Sequence, residues 1–141
     1  MTANEKQQEI IEEFALFDDW MDKYNYLIEL SKDIPEMDPQ NKTEENLIEG
    51  CQSKVWLDAE MDGDKLYFKA DSDAIITKGL IALLIRILSG RKPEEIKNAN
   101  LYFIDEIGLK ENLSPTRSNG LLAMINKIKA YAMAYELKQN Q

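Results

Sequence analysis

Three side chains in this sequence have types and neighbours that are suited to chemistry: Cys51, Asp73 and Arg117. Cys51 is the only cysteine, and it stands in "IEGCQSKVWL" between a glycine and a polar pair. Glycine permits backbone angles that other residues avoid, so we expect the thiol to lie on a turn. From the residues alone two interpretations stay open. A free cysteine is commonly a small buried hydrophobe, and it can also be a reactive thiol.

The composition restricts what such a thiol can do. The chain has 141 residues, one cysteine and no histidine. An internal disulfide, a cysteine–histidine metal site and a histidine-based proton relay are therefore excluded. A cysteine-nucleophile hydrolase is disfavoured for the same reason, because its usual base is missing. A thiolate would need an arginine, a lysine, a helix N-terminus or a partner protein to lower its pKa. We find no motif that predicts a metal or a cofactor.

Arg117 and Asp73 stand where helices are expected to begin. In "SPTRSNG" Ser114 is a suitable N-cap, which puts Arg117 in the first turn of a helix. A cation there opposes the helix dipole, and such a local conflict often indicates function. Asp73, in "DSD", is more simply a helix cap than a catalytic acid. The alternative for Arg117 is an ion pair with a nearby carboxylate: Asp71, Asp73 or Glu111.

Helices and a small sheet must position these residues. The first 32 residues have apolar side chains at three- and four-residue steps, which predicts helix, with Asp18 or Asp19 capping a second helix. From Lys54 the period changes to two, and the Asp62-Gly63 pair between two such runs predicts a β-hairpin. The segment 47–49 could supply a third strand. The sequence therefore predicts an α+β fold with a small antiparallel sheet of about three strands covered by several helices.

Two longer helices complete the predicted fold. The stretch "DSDAIITKGLIALLIRILSG" is apolar on most sides, which places it in the middle of the protein. The last helix starts after Ser114, with Pro115 at its first position. Gly120 in that helix indicates close packing of a neighbouring backbone, since glycine otherwise destabilises a helix by up to about 1 kcal/mol relative to alanine. The length and the absence of a linker or an internal repeat predict one domain, residues 1–141.

The net charge and the apolar segments indicate which partners and which location to expect for this protein. A net charge of −9 argues against nucleic acid, because phosphate neutralisation needs clustered lysine and arginine. The N-terminus has no long apolar run, and the apolar segment 74–88 carries two charges and is too short to span a bilayer. We expect a cytoplasmic protein without membrane association, in which an unpaired thiol is kept reduced.

Three stretches resemble one known family. "IEGCQSKVWL", "ADSDAIITKGLIALL" and "LSPTRSNGLLAM" are similar, in this order, to motifs of the SufE family, which includes CsdE. The resemblance extends over nearly the whole chain. It implies an α+β fold like that of SufE and of IscU-type scaffolds, with the cysteine at the tip of a loop. Cys51 matches the family's sulfur acceptor, and Arg117 and Asp73 match residues that lie near it.

The resemblance also implies a function. Members of this family accept persulfide sulfur from a PLP-dependent cysteine desulfurase of the SufS or CsdA type, stimulate that enzyme, and pass the sulfur towards an iron–sulfur scaffold. It implies a sulfur carrier without independent turnover, holding no cofactor of its own, and a monomer or weak dimer. The alternative is a regulatory binding module that activates a desulfurase without carrying sulfur.

Sulfur transfer agrees with what the composition allows. A thiolate attacks a persulfide sulfur much as in thiol–disulfide exchange, and needs neither metal nor histidine. A fully exposed reactive thiol would oxidise, so we expect Cys51 to be partly shielded in the free protein and to swing out, with Gly50 in the hinge, when the desulfurase binds. Arg117 would stabilise the thiolate or persulfide, or contribute to docking. Asp73 would support the loop or cap a helix.

Overall fold

The computed structural model describes residues 1–140, and helices make up most of it. The two strands are β1 (Val55–Asp62) and β2 (Lys65–Ser72). Short 3₁₀ turns lie between α2 and β1. The α-helices are α1 (Ala3–Phe14), α2 (Trp20–Leu30), α3 (Ile75–Leu88), α4 (Pro93–Asn98), α5 (Phe103–Ile107), α6 (Leu109–Asn112) and α7 (Pro115–Gln139). The predicted α+β class is confirmed.

The N-terminal helices begin at side-chain caps. Thr2 and Glu5 form a reciprocal capping box at the start of α1. The side chain of Asp19 accepts the backbone N–H of Asp22 at the start of α2. Of the two predicted N-caps, Asp18 and Asp19, it is therefore Asp19 that caps this helix. Arg86 of α3 pairs with two glutamates of α1, Glu9 and Glu13, which fixes α1 on the central helix.

The predicted hairpin is confirmed and the predicted third strand is wrong. β1 and β2 pair antiparallel from Val55↔Ser72 to Asp62↔Lys65, and Gly63 in the turn has a φ of 64°. Leu47 forms only an isolated antiparallel bridge to Trp56, beside a 2.8 Å hydrogen bond from Ile48 N to Val55 O.

The third strand cannot lengthen for two reasons. The chain turns away from the sheet at Gly50, whose φ is 93°. Farther along β1, two tyrosines of α7 donate hydrogen bonds to carbonyl oxygens of the strand. Tyr131 donates to Leu57 O at 3.4 Å and Tyr135 to Ala59 O at 3.3 Å. A helix rather than a strand therefore supplies hydrogen bonds to β1, and the sheet has two strands.

Helix α3 lies at the centre of the core, as its apolar sequence predicts. Nine of its residues are buried, and it packs against α1, α2, α7 and β2. Gly79 sits where α3 meets α2: a Cβ added to it would lie 2.3 Å from the carbonyl oxygen of Leu27. The close approach of these two helices therefore requires glycine. None of the helices within residues 1–140 is both long and apolar enough to cross a membrane.

Candidate functional site

Cys51 lies on the turn that joins the isolated bridge to β1. The left-handed backbone of Gly50 directs the chain into this turn, and the Cys51 side chain packs against the edge of the core. The side chain is half-buried, so the predicted partial shielding in the free protein is confirmed. Its sulfur donates a weak hydrogen bond to the carbonyl oxygen of Gly120 in α7, at 3.6 Å. The expected close packing of a neighbouring backbone at Gly120 is wrong, because a Cβ added there would lie at an ordinary 3.6 Å from the side-chain sulfur of Cys51.

Cys51 opens onto a cavity of about 340 Å³ between its own turn, α3 and the start of α7. The two apolar side chains of its wall are core residues of α3 and α7, and most of the others are polar. The wall contains Cys51, Gln52, Ser53, Thr77, Leu80, Ser114, Thr116, Arg117, Gly120 and Met124. Arg117 is the single charged residue in this set.

Burial raises the pKa of the Cys51 thiol. The contact with Gly120 acts in the same direction, because a carbonyl oxygen accepts a hydrogen bond from the neutral thiol and repels the thiolate. At neutral pH the resting cysteine is therefore held as a thiol. Its nucleophilic form requires either movement out of this position or a change in its surroundings.

Arg117 is exposed at the mouth of the cavity. Ser114 caps α7 and accepts the backbone N–H of Arg117 at 3.2 Å, and Pro115 is the first helical residue, as predicted. Among residues 1–140 no carboxylate lies within salt-bridge distance of the guanidinium, so the alternative of an ion pair is wrong. Of the expected partners, Asp71 pairs with two lysines and Asp73 binds the backbone of Lys54. The guanidinium therefore stays available to the cavity.

Asp73 holds the end of the cysteine turn in place, and it does so without capping α3. Its carboxylate accepts the backbone N–H of Lys54 at 3.0 Å, and its own N–H donates to Lys54 O at 3.2 Å. Ser72 Oγ donates to the same carbonyl at 2.8 Å. The predicted helix cap is wrong: α3 begins after Ala74 and has no side-chain cap, because the nearby side chains bind Lys54 and the preceding turn. Asp73 does not line the cavity.

Sequence reasoning missed two features of this region. Thr77, in the first turn of α3, lines the cavity, although in the sequence it is one polar residue within an apolar helix. Asp71 is buried between Lys42, at 2.7 Å, and Lys78, at 3.2 Å. Lys42 also lies over the Trp56 ring. This cluster attaches the segment that precedes the cysteine turn to the sheet and to α3, and local sequence carries no sign of it.

The Asp71 pairings predict a pH dependence of stability. Burial raises the pKa of Asp71, but hydrogen bonds from Lys42, the Ser72 backbone and Lys78 outweigh it and hold the pKa below its usual value. Because the folded pKa is lowered, this contribution is present above the unfolded value of about 4 and is lost as the pH falls through the folded pKa. We expect Asp71→Asn to lower the free energy of unfolding at neutral pH and to weaken its fall on acidification.

Urea unfolding of the wild type and the variant between neutral and acid pH measures this effect. The control is Asp62→Asn, at an exposed carboxylate at the end of β1, which we expect to follow the wild-type curve. An Asp71→Asn variant with the stability and pH profile of the wild type would contradict the prediction.

Comparisons with known proteins agree on family and fold. Residues 8–132 match the family profile described as "SufE: Fe-S metabolism associated domain". An uncharacterized SufE-like protein of Rhizobium meliloti (strain 1021) is 44% identical over 129 residues, which is 88% of this chain and 92% of that protein. The chloroplastic/mitochondrial SufE-like protein 1 of Arabidopsis thaliana is 41% identical over 134 residues, 94% of this chain and 36% of the longer plant protein.

A solved structure shows the same fold. The solution structure of a hypothetical protein from Thermus thermophilus aligns with a TM-score of 0.75 over 92% of this chain and 94% of that one, at 24% identity. At this identity it is evidence for fold alone.

Proposed function

The chain belongs to the SufE family, which gives it a role in Fe–S metabolism, and from this premise we propose that Cys51 accepts persulfide sulfur from a cysteine desulfurase and passes it on for iron–sulfur cluster assembly. The observation that carries the proposal is the setting of Cys51. The single thiol of the chain lies on a glycine turn and borders a polar cavity whose one charged residue is Arg117.

The transfer is an exchange between two sulfur centres. The Cys51 thiolate attacks the outer sulfur of the donor persulfide, so that a new sulfur–sulfur bond forms on Cys51 while the donor's sulfur–sulfur bond breaks. The donor cysteine leaves as a thiolate and takes up the proton that Cys51 releases. One sulfur atom changes carrier with no net oxidation or reduction, and the step needs no metal and no cofactor on this chain.

The resting geometry supports a movement of Cys51 before transfer. Burial keeps the thiol neutral, which protects it from oxidation but slows attack. Gly50 lies directly before Cys51 in a conformation that only glycine adopts easily, whereas Asp73 and Ser72 bind Lys54 on the other side. We therefore propose that the turn swings about Gly50 while its Lys54 end stays anchored, and that the desulfurase drives this motion.

Arg117 and Asp73 have distinct proposed roles. Arg117 sits beside the thiol without an ion pair in the described part of the chain, so it can stabilise the thiolate or persulfide or receive the partner. Asp73 supports the loop through Lys54. The proposed partners are a PLP-dependent cysteine desulfurase and an iron–sulfur scaffold, with one monomeric or weakly dimeric domain acting in the cytoplasm, where a free thiol stays reduced.

Intact-protein mass spectrometry tests the proposal. We expect the wild-type chain, incubated with a desulfurase of this family and cysteine, to gain the mass of one or more sulfur atoms and to lose it on reduction. Protein alkylated beforehand at Cys51 is the control and should gain nothing. Faster desulfurase turnover without any added mass would overturn the carrier proposal and leave the regulatory alternative.

A further inference from the structure

The cavity beside Cys51 is bordered by the N-terminal turns of two helices. Ser114, Thr116 and Arg117 belong to the start of α7, and Thr77 belongs to the first turn of α3. The first N–H groups of a helix lack intrahelical acceptors and carry partial positive charge. Helix α3 has no side-chain cap, so its first turn receives no compensating acceptor from a side chain. Both helix ends therefore favour an anion in the cavity.

Thr77 gives a second and independent indication of a ligand. The residue is 7% exposed, and its side chain has no hydrogen bond to any residue within 1–140. The hydroxyl oxygen itself is not among the fully buried side-chain atoms that lack a partner in residues 1–140, so it remains accessible from the cavity that Thr77 lines. Because Thr77 lines the cavity, that hydroxyl can serve a group that enters there.

The single charged side chain of the cavity wall and the volume of the cavity point to a small, negatively charged ligand. The chain as a whole carries a net charge of −9, yet the one charged side chain in this wall is a cation, Arg117. The resting thiol does not use these features, because it is neutral and donates to Gly120 O. A volume of about 340 Å³ leaves ample room for one more sulfur atom attached to Cys51.

We propose that this cavity is a receptor for the outer sulfur of the Cys51 persulfide in its anionic form, and that Thr77 is a positioning residue that donates its hydroxyl to that sulfur. The inference rests on the proposed sulfur-carrier function and extends it. After transfer the persulfide loses its proton to solvent, and the resulting anion is held by the Thr77 hydroxyl, Arg117 and the first N–H groups of α3, whose start has no side-chain cap. The cavity therefore holds the persulfide of Cys51 as an anion, whereas the unloaded Cys51 stays a neutral thiol at the same site.

The test loads Cys51 with sulfur from an inorganic polysulfide, so it does not depend on a desulfurase. The rate of persulfide alkylation by iodoacetamide is then followed against pH by intact-protein mass. We expect Thr77→Val, which keeps the shape and removes the hydroxyl, to raise the pH midpoint by about one unit, equivalent to a tenfold weaker hold on the anion. Thr77→Ser keeps the hydroxyl and should retain the wild-type midpoint.

Two further arms distinguish a specific role from a structural one. Alkylation of the unloaded thiol should have the same pH midpoint in wild type and Thr77→Val, because the receptor holds the outer sulfur. Thr77→Ala, the second variant without a hydroxyl, should shift the persulfide midpoint in the same direction. The inference is overturned if Thr77→Val leaves the persulfide midpoint unchanged, or if thiol and persulfide midpoints shift equally. A wild type that takes sulfur from polysulfide but none from a desulfurase would instead refute the proposed function.

Discussion

Replacing Cys51 by serine is expected to abolish sulfur uptake from the desulfurase completely. Serine has nearly the same shape, but its hydroxyl is not ionised near neutral pH and does not form a persulfide. No other cysteine in the chain can take over the role. Since the side chain is half-buried and contacts only the margin of the core, the fold should persist, with a change in stability of about 1 kcal/mol or less.

Mass spectrometry of the variant after incubation with desulfurase and cysteine measures the loss. Ser53→Ala is the matched control, because Ser53 lines the same cavity two residues away and should keep full sulfur uptake when replaced. Desulfurase turnover should be recorded in the same samples. A Cys51→Ser chain that still gained reductant-labile sulfur would contradict the assignment of Cys51 as the acceptor. If the variant took up no sulfur but stimulated desulfurase turnover as well as the wild type, docking to the desulfurase would not depend on sulfur transfer.

Gly79→Ala is expected to be the most destabilising single-methyl change in the chain. Its Cβ would meet the Leu27 carbonyl oxygen at 2.3 Å and the carbonyl carbon at 2.9 Å, both of them backbone atoms of α2 that cannot rotate away. Helices α2 and α3 would have to separate, and overpacking of this kind costs about 3 kcal/mol. That is a large share of a typical stability of about 5–15 kcal/mol.

Thermal and urea unfolding measure this loss, which corresponds to a fall in Tm of about 10 °C for a domain of this size. Gly120→Ala is the control, since Gly120 is also buried and helical, but its added Cβ would lie at an ordinary 3.6 Å from Cys51 Sγ. Alanine improves helix propensity by up to about 1 kcal/mol, so this control should be neutral or slightly stabilising. Equal destabilisation by the two changes would refute the argument from close helix packing.

The sequence by itself determined the elements and the identity of the thiol. Helix periodicity, the caps at Asp19 and Ser114, and the hairpin at Asp62-Gly63 all depend on neighbours within a few residues, so local pattern suffices to predict them. The absence of histidine restricted the chemistry open to the thiol, and the motifs around Cys51, Asp73 and Arg117 carried the resemblance to the SufE family, which the comparisons then showed.

The tertiary structure decided what depends on contacts between distant segments. Two tyrosines of α7 and the turn at Gly50 limited the sheet to two strands, against the expected three. The carboxylate of Asp73 accepts the backbone N–H of Lys54, 19 residues earlier in the chain, and does not cap helix α3. The polar cavity exists because α3 and α7 bring Thr77 and Arg117 to Cys51. Local sequence specifies which hydrogen bonds a segment makes with itself, and only packing specifies which groups from separate segments meet.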